Sequence, residues 1–380
     1  MIIEVRGTST RNRGAELMLR AITEHYAPLD GNVRFVVDPS FGSFDDRARY
    51  GLRSKLRSHR LGRSALAIRL LPAAFCNAYG LVRESSVDVV LDASGFAFGD
   101  QCGAEPTERL ARSARQWRQL GKRVILLPQA LGSFTSPRVA SAFRQVIDHA
   151  DLIYARDRQS YEYVQDLGGP YEHVKLAPDF TNLVPGRVPP HFETHPPRAC
   201  IVPNYRMVDK TNDARSRRYV PFLASCIEQL AEKGMKTFLL LHDANVDHRL
   251  VEPLESAVGQ KLDVVRENDP VGLKGILGAA RLVVGSRYHA LVGALSQGVP
   301  CLASGWSHKY KMLFEDYRCA EMVMDVDASK EQIREALDRL CDEPERSDRL
   351  DVLQHAAERE RIRTVAMWSE IDKLLAPVES

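Results

Sequence analysis

Three side chains between Arg281 and Tyr317 have the types and spacing of an anion site with acid–base chemistry: Arg287, His289 and Lys309. Arginine offers a rigid planar fork that suits a carboxylate or a phosphate. Histidine can give or take a proton near neutral pH. Lys309 supplies a second cation, and Ser286 adds a hydroxyl beside the arginine. The substrate suited to this set is small and strongly anionic, and it needs a proton moved. The plain alternative is a solvated or structural Arg-x-His at a helix start. The surrounding pattern argues against that alternative.

Leu282–Val284 is a short apolar run, the mark of a buried parallel strand, and Gly285-Ser286 interrupts it. Ala290, Leu291, Ala294 and Leu295 then recur at helical spacing, so a helix starts near Tyr288. Gly298 and Pro300 end it, and Cys301–Ala303 reads as the next strand. Strand, tight turn and helix leave free N–H groups at a positive helix end. Ligands gather at the carboxyl ends of parallel strands. Ser286, Arg287 and His289 therefore share one expected anion pocket, with Lys309 on the same rim. His242 and His308 are rivals for the proton-transfer role, and each also reads as a surface or hydrogen-bonded group.

A chain of 380 residues, 44% of them apolar, suggests two domains with full cores. The formal net charge of +2 argues neither way on nucleic acid, and none is expected as a partner. Seven scattered cysteines, with no C-x-x-C pair, fit a reducing cytosol and no metal site. Met1–Arg6 carries Glu4 and no long apolar run, so it does not read as a signal peptide. Ser64–Val82 is broken by Arg69, Pro72 and Asn77, so no membrane span is expected. The expected location is the cytoplasm.

The chain alternates strand and helix, the pattern of a parallel sheet covered on both faces. Strands are expected at Met1–Val5, Val33–Val37, Val87–Asp92, Arg123–Leu127, Leu152–Ala155 and Val174–Ala177. The loop Arg6–Gly14 follows the first of them, with Asn12 and three arginines that could hold hydroxyls or phosphate. Asp157 reads as a helix N-cap. Five prolines in Val184–Pro197 exclude helix and central strand and suggest a linker. The alternation then restarts at Ala199–Val202, with Arg206 just beyond. The expected domains are residues 1–184, a linker at 185–198, residues 199–345, and a C-terminal helix over 346–380 that packs back on the first domain. Asp45–Arg63 carries seven basic residues interleaved with leucines. It reads first as a solvated helical insertion. Its second reading, over residues 47–71, is a peripheral contact with an anionic membrane face.

Five segments, in order, resemble the polysaccharide pyruvyl transferase family. They are Asn12-Arg13-Gly14, Leu127–Phe134, Ala155–Tyr163, Ala177-Pro178-Asp179, and Ser286–Ala290 followed by Ala294–Pro300. The chain departs from the family pattern at Tyr288, often a smaller apolar residue, and at Ser307-His308, often Asp-Pro. It also keeps only Gly95 of a glycine run, with Ala93 and Ser94 in place of glycines.

The resemblance implies two Rossmann-like domains, similar to the B-type glycosyltransferase fold, with the active site in the interdomain cleft. It implies transfer of a pyruvyl group from phosphoenolpyruvate to a sugar of a polysaccharide or its lipid-linked precursor, with no further cofactor. On that reading His289 is the general acid/base. Arg287, Ser286, Lys309 and Arg206 hold the donor, and Asn12, Gln129 and Asp179 hold the acceptor. A nucleotide-sugar glycosyltransferase on the same fold is the alternative. A non-enzymatic two-lobed binding protein is a third reading.

Overall fold

The computed structural model describes residues 1–29, 31–56, 71–305 and 307–376. It divides into two units: residues 1–11, 18–180 and 369–380, and residues 12–17 and 181–368.

The first unit holds a parallel sheet of eight strands among the described residues. They are β1 (Ile2–Arg6), β2 (Arg34–Val37), β3 (Arg53–Leu56), β4 (Leu81–Arg83), β5 (Val89–Asp92), β6 (Arg123–Gln129), β7 (Leu152–Ala155) and β8 (Val174–Leu176). Their order is β4-β3-β2-β1-β5-β6-β7-β8. The chain builds outward from β1 on one side, then returns to lay β5 on the other. All four residues of β5 and of β7 are buried, as strands covered on both faces require. Helices Ala104–Gln119 and Pro137–His149 turn Leu110, Trp117, Phe143 and Val146 into that core.

One expectation fails here. Of the basic stretch Asp45–Arg63, only Phe44–Arg49 forms a described helix, and Arg53–Leu56 is β3. Alternate strand residues face opposite ways, and Lys55 points inward. It is 3% exposed, and its Nζ donates to Glu4 Oε1 on β1 at 2.6 Å. Lys55 is thus a core cation, unavailable to a membrane surface. Residues 57–70, with Arg57, Arg60 and Arg63, lie outside the described residues. No described helix is long and apolar enough to cross a membrane.

The second unit holds six parallel strands among the described residues: β9 (Ala199–Val202), β10 (Thr237–Leu241), β11 (Val264–Arg266), β12 (Leu282–Gly285), β13 (Cys301–Ser304) and β14 (Val323–Met324). Their order is β11-β10-β9-β12-β13-β14. Here the reversal lies between β9 and β12, which pair in register from Leu282 with Ala199 to Gly285 with Val202. The Pro-rich stretch packs on helix Pro270–Ala279, where Arg187 N–H donates to Val271 C=O at 3.1 Å. The helix Glu345–Leu375 ends within the first unit's residues. There Tyr154 donates to Glu370 at 2.8 Å, and His25 meets Asp372 at 3.1 Å.

Candidate active site

The site is built where the second sheet reverses. β12 ends at Gly285, Arg287 takes the N-cap position with extended backbone, and the helix runs from Tyr288 to Leu295. Two side chains fix the turn by its carbonyl. Asn204 Nδ2, just beyond β9, donates to Ser286 C=O at 2.6 Å, and Tyr310 Oη donates to it at 2.9 Å. The hydroxyl of Tyr219 lies beside Ser286, and burial pushes its pKa up, so it stays protonated. The first N–H groups of this helix therefore sit on a braced turn.

Arg287 is 8% exposed. Its Nε donates to Asp247 Oδ2 at 3.0 Å, and its Nη2 meets Asp247 Oδ1. Asp247 is fully buried and also accepts from Tyr205 N at 3.0 Å and Asp243 N at 2.9 Å. This carboxylate locks the plane of the guanidinium and ties together the loops after β9, β10 and β12. Among the described residues, Arg287 Nη1 makes no hydrogen bond.

His289 sits in the first turn of the helix, half-buried, with the Tyr288 ring edge-on at 5.6 Å between centroids. Lys309 Nζ lies 5.5 Å from the Tyr288 ring and 5.4 Å from the Tyr310 ring. The ring of Tyr288 thus meets both the lysine and the histidine.

The first turn after Asn12 belongs to this unit. A Cβ at Gly14 would fall 2.2 Å from His289 Nδ1, so the backbone there lies directly against the imidazole and tolerates only glycine. Arg13 donates to Glu16 at 2.6 Å and to Asn268 at 2.9 Å. His242, beyond β10, is 4% exposed, and its pKa is held well below 6.5. Burial is the main cause, followed by the positive charge of Arg287, His289 and Arg13. Four basic side chains therefore converge at one sheet end, an arrangement that an anion would relieve.

The remaining expected residues have these surroundings. Arg206 pairs with Asp209 on its own short helix, with 42% of its side chain exposed. Asn12 caps the helix that begins at Arg13, its Oδ1 accepting from Gly14 N at 3.0 Å, and so adjoins the contact of Gly14 with His289. Asp179 is 4% exposed and accepts from Arg156 Nη1 at 3.0 Å. Gln129 is fully buried, and its side-chain amide makes no hydrogen bond among the described residues. His308 opens the helix His308–Asp316. Asp157 is the N-cap expected, accepting from Ser160 N at 2.8 Å.

Sequence reasoning missed Asp247, Asn204 and the contact of Gly14 with His289. Asp243-x-x-x-Asp247, one helical turn apart after a strand, was the available signal for the first. The other two depend on pairing across the sheet. A cavity of about 510 Å³ near Leu295, Cys301 and Cys319 lies at the amino end of β13, away from this chemistry.

A family model described as polysaccharide pyruvyl transferase matches residues 12–308. The chain belongs to the polysaccharide pyruvyl transferase family. It is accordingly a transferase. The matched span opens at Asn12 and closes at His308, so it takes in Arg13, Gly14, His242, Arg287 and His289. No curated protein matches this pyruvyl transferase in sequence.

Solved structures are similar in fold. A putative UDP-N-acetylglucosamine 2-epimerase from Listeria monocytogenes gives a TM-score of 0.58 at 13% identity, over 97% of this chain and 96% of that one. Anabaena Alr3699/HepE, in complex with UDP-glucose, gives 0.59 at 12%, over 99% of each chain. The UDP-GlcNAc 2-epimerase of Neisseria meningitidis, bound to UDP-GlcNAc, gives 0.56 at 10%, over 96% and 99%. At these identities the likeness is one of architecture: two Rossmann-like α/β units, as in B-type glycosyltransferases.

Proposed function

We propose that the transferase moves the pyruvyl group of phosphoenolpyruvate onto two hydroxyls of one sugar, in a bacterial polysaccharide or its lipid-linked precursor. It would act in the cytoplasm, and any membrane contact would be peripheral. What supports the reading is the convergence of Arg13, Arg287, His242 and His289 beside a braced helix N-terminus. The donor carries a carboxylate and a phosphate, so it asks for several cations and oriented N–H groups.

The steps balance with these groups. A sugar hydroxyl attacks C2 of the donor while a proton goes to C3, turning the methylene into a methyl group. Phosphate then leaves C2, the second hydroxyl adds there, and its proton departs with the phosphate. His289 would deliver the first proton and recover one from the attacking hydroxyl. His242, whose pKa is lowered by burial and by the neighbouring cations, stays neutral at pH 7. Arg287, oriented by Asp247, and Arg13 hold the anionic groups, and Lys309 adds charge behind Tyr288.

The test is the thermal unfolding midpoint with phosphoenolpyruvate and, separately, with UDP. Ligand at about 100 times its dissociation constant stabilises a fold by about 2.7 kcal/mol, a shift of a few degrees. We expect that shift with phosphoenolpyruvate, and we expect His289→Gln to keep it while losing transfer. Stabilisation by UDP alone would reject the donor and favour a nucleotide-sugar glycosyltransferase.

A further inference from the structure

The first sheet carries a polar cavity that none of these roles uses. It measures about 300 Å³ and is walled by the loops after β1 and β2. The strand order gives the place meaning. β1 and β2 are parallel neighbours, so the two loops leave the sheet at the same end, beyond the carboxyl ends of the strands. In open α/β sheets ligands bind outside the carboxyl ends of the strands.

The walls suit a sugar ring. Thr8, Ser9, Ser40 and Asp38 offer hydroxyls and a carboxylate, and Phe41 offers a flat apolar face. Sugar hydroxyls both donate and accept, and the C–H face of a pyranose stacks on an aromatic ring. Thr8 Oγ1 makes no hydrogen bond among the described residues, an unmet demand that a sugar hydroxyl would satisfy. Arg11 adds positive charge beside Asp38, while Arg6 is paired with Glu4 and Asp92. A volume of 300 Å³ is at the small end for ligand pockets, enough for one ring.

The loops are set before any ligand arrives. Ser40 donates to Asp38 Oδ1 from its N–H at 3.0 Å and from its Oγ at 2.6 Å. Phe41 N–H donates to Asp38 C=O at 2.9 Å, and Arg47 Nη1 holds Gly42 C=O at 2.8 Å. Gly7, at φ +75°, lies so close to the Ser94 backbone that a Cβ would fall 2.3 Å from Ser94 N. A pre-formed wall lowers the ordering cost of binding. The chain that forms the wall, Val5 to Arg11, runs on within three residues to Gly14, which packs against His289.

We propose that this cavity binds one hexopyranose residue of the acceptor saccharide, stacked on Phe41 and hydrogen-bonded by Thr8, Ser40 and Asp38. Only the word acceptor rests on the transferase reading above. The test uses saturation-transfer-difference NMR on the full chain. Methyl glycosides of glucose, galactose, mannose and N-acetylglucosamine are offered one at a time. At least one should receive saturation, most strongly on the ring C–H protons. Phe41→Ala should weaken its binding about tenfold, with Thr8→Val weakening it further. Phe41→Leu keeps the bulk of the wall and serves if the alanine variant fails to fold.

Two results overturn the proposal. One is that no glycoside binds the wild-type chain. The other is that binding is unchanged in folded Phe41 and Thr8 variants. Glycoside binding through these residues without stabilisation by phosphoenolpyruvate would keep the saccharide site and reject the proposed donor. Stabilisation by phosphoenolpyruvate without glycoside binding would reject the cavity and leave the donor standing.

Discussion

Arg156 and Arg287 each follow a parallel strand, and each is buried against an aspartate. Arg156 lies one residue beyond β7 in the first unit, and its Nη1 meets Asp179 at 3.0 Å. Its backbone N–H donates to Gln129 C=O at 2.9 Å, so this knot ties the ends of β6 and β7 to the segment after β8. Arg287 meets Asp247 through both prongs of its fork. The chemistry of the two pairs is the same, but their neighbours differ. Arg287 shares its surroundings with His242, His289 and Arg13. Its side chain keeps 9% exposure against 2% for Arg156. A buried arginine is therefore no sign of a site by itself. What sets Arg287 apart is the company of His242, His289 and Arg13 beside a helix N-terminus, with Asp243 and Asp247 balancing the guanidinium.

The largest effects should come from breaking the two pairs. Arg287→Met leaves Asp247 charged and buried, and Arg156→Met does the same to Asp179. Each should cost about 3–5 kcal/mol in denaturant unfolding. The variants should part on ligand binding. Arg156→Met keeps its stabilisation by phosphoenolpyruvate, whereas Arg287→Met loses it. Loss in both variants would break the comparison. Removing both partners, as Arg287→Met with Asp247→Leu, should recover part of the stability but no donor binding.

Gly14→Ala sharpens the comparison from the histidine side. The added methyl meets His289 Nδ1, so the ring must move. We expect kcat to fall by about 100-fold and stability to drop by about 1–3 kcal/mol. Unchanged kcat would mean that His289 is not the proton donor.

The smallest effect is pH-linked. His242 has a folded pKa below its ordinary value of 6.5. Between those two values the unfolded chain holds the proton and the folded chain does not. The unfolded state therefore binds more protons there, and stability is complete above pH 6.5 and falls below it. The slope is at most about 1.4 kcal/mol per pH unit. His242→Asn should flatten the profile. Bound phosphoenolpyruvate should flatten it too, because its negative charge eases protonation of the imidazole. A profile that His242→Asn leaves unchanged would assign the slope elsewhere.

The alternation of strand and helix was legible because buried parallel strands are short apolar runs, and β1, β2, β5 to β9, β12 and β13 stand where those runs predict. β3 and β4 were not legible. Arg-Ser-Lys-Leu carries no apolar run, because Glu4 on another strand neutralises Lys55. The anion site was legible as far as one stretch could carry it, in Arg287, His289 and the helix start. The surroundings of Arg206, Asn12 and Asp179 were not legible, for one reason. Each is a polar group near a strand end, and whether it faces a ligand or a neighbouring backbone depends on contacts that sequence order does not record.

By itself, then, the sequence determined what local spacing encodes: the α/β architecture, the strand–turn–helix around Arg287, and the residue types able to handle an anion. Periodicity and turn chemistry act over a few residues, so one stretch of chain is enough to express them. Only the tertiary structure decided that Asp247 grips Arg287, that Gly14 lies on His289, and that the loop after β1 walls a polar cavity. The two pairings join residues 40 and 275 positions apart, and the cavity joins the loops after the neighbouring strands β1 and β2. They exist because burying the apolar faces of two sheets forces the strand ends together, and the charges at those ends must then find partners or a ligand.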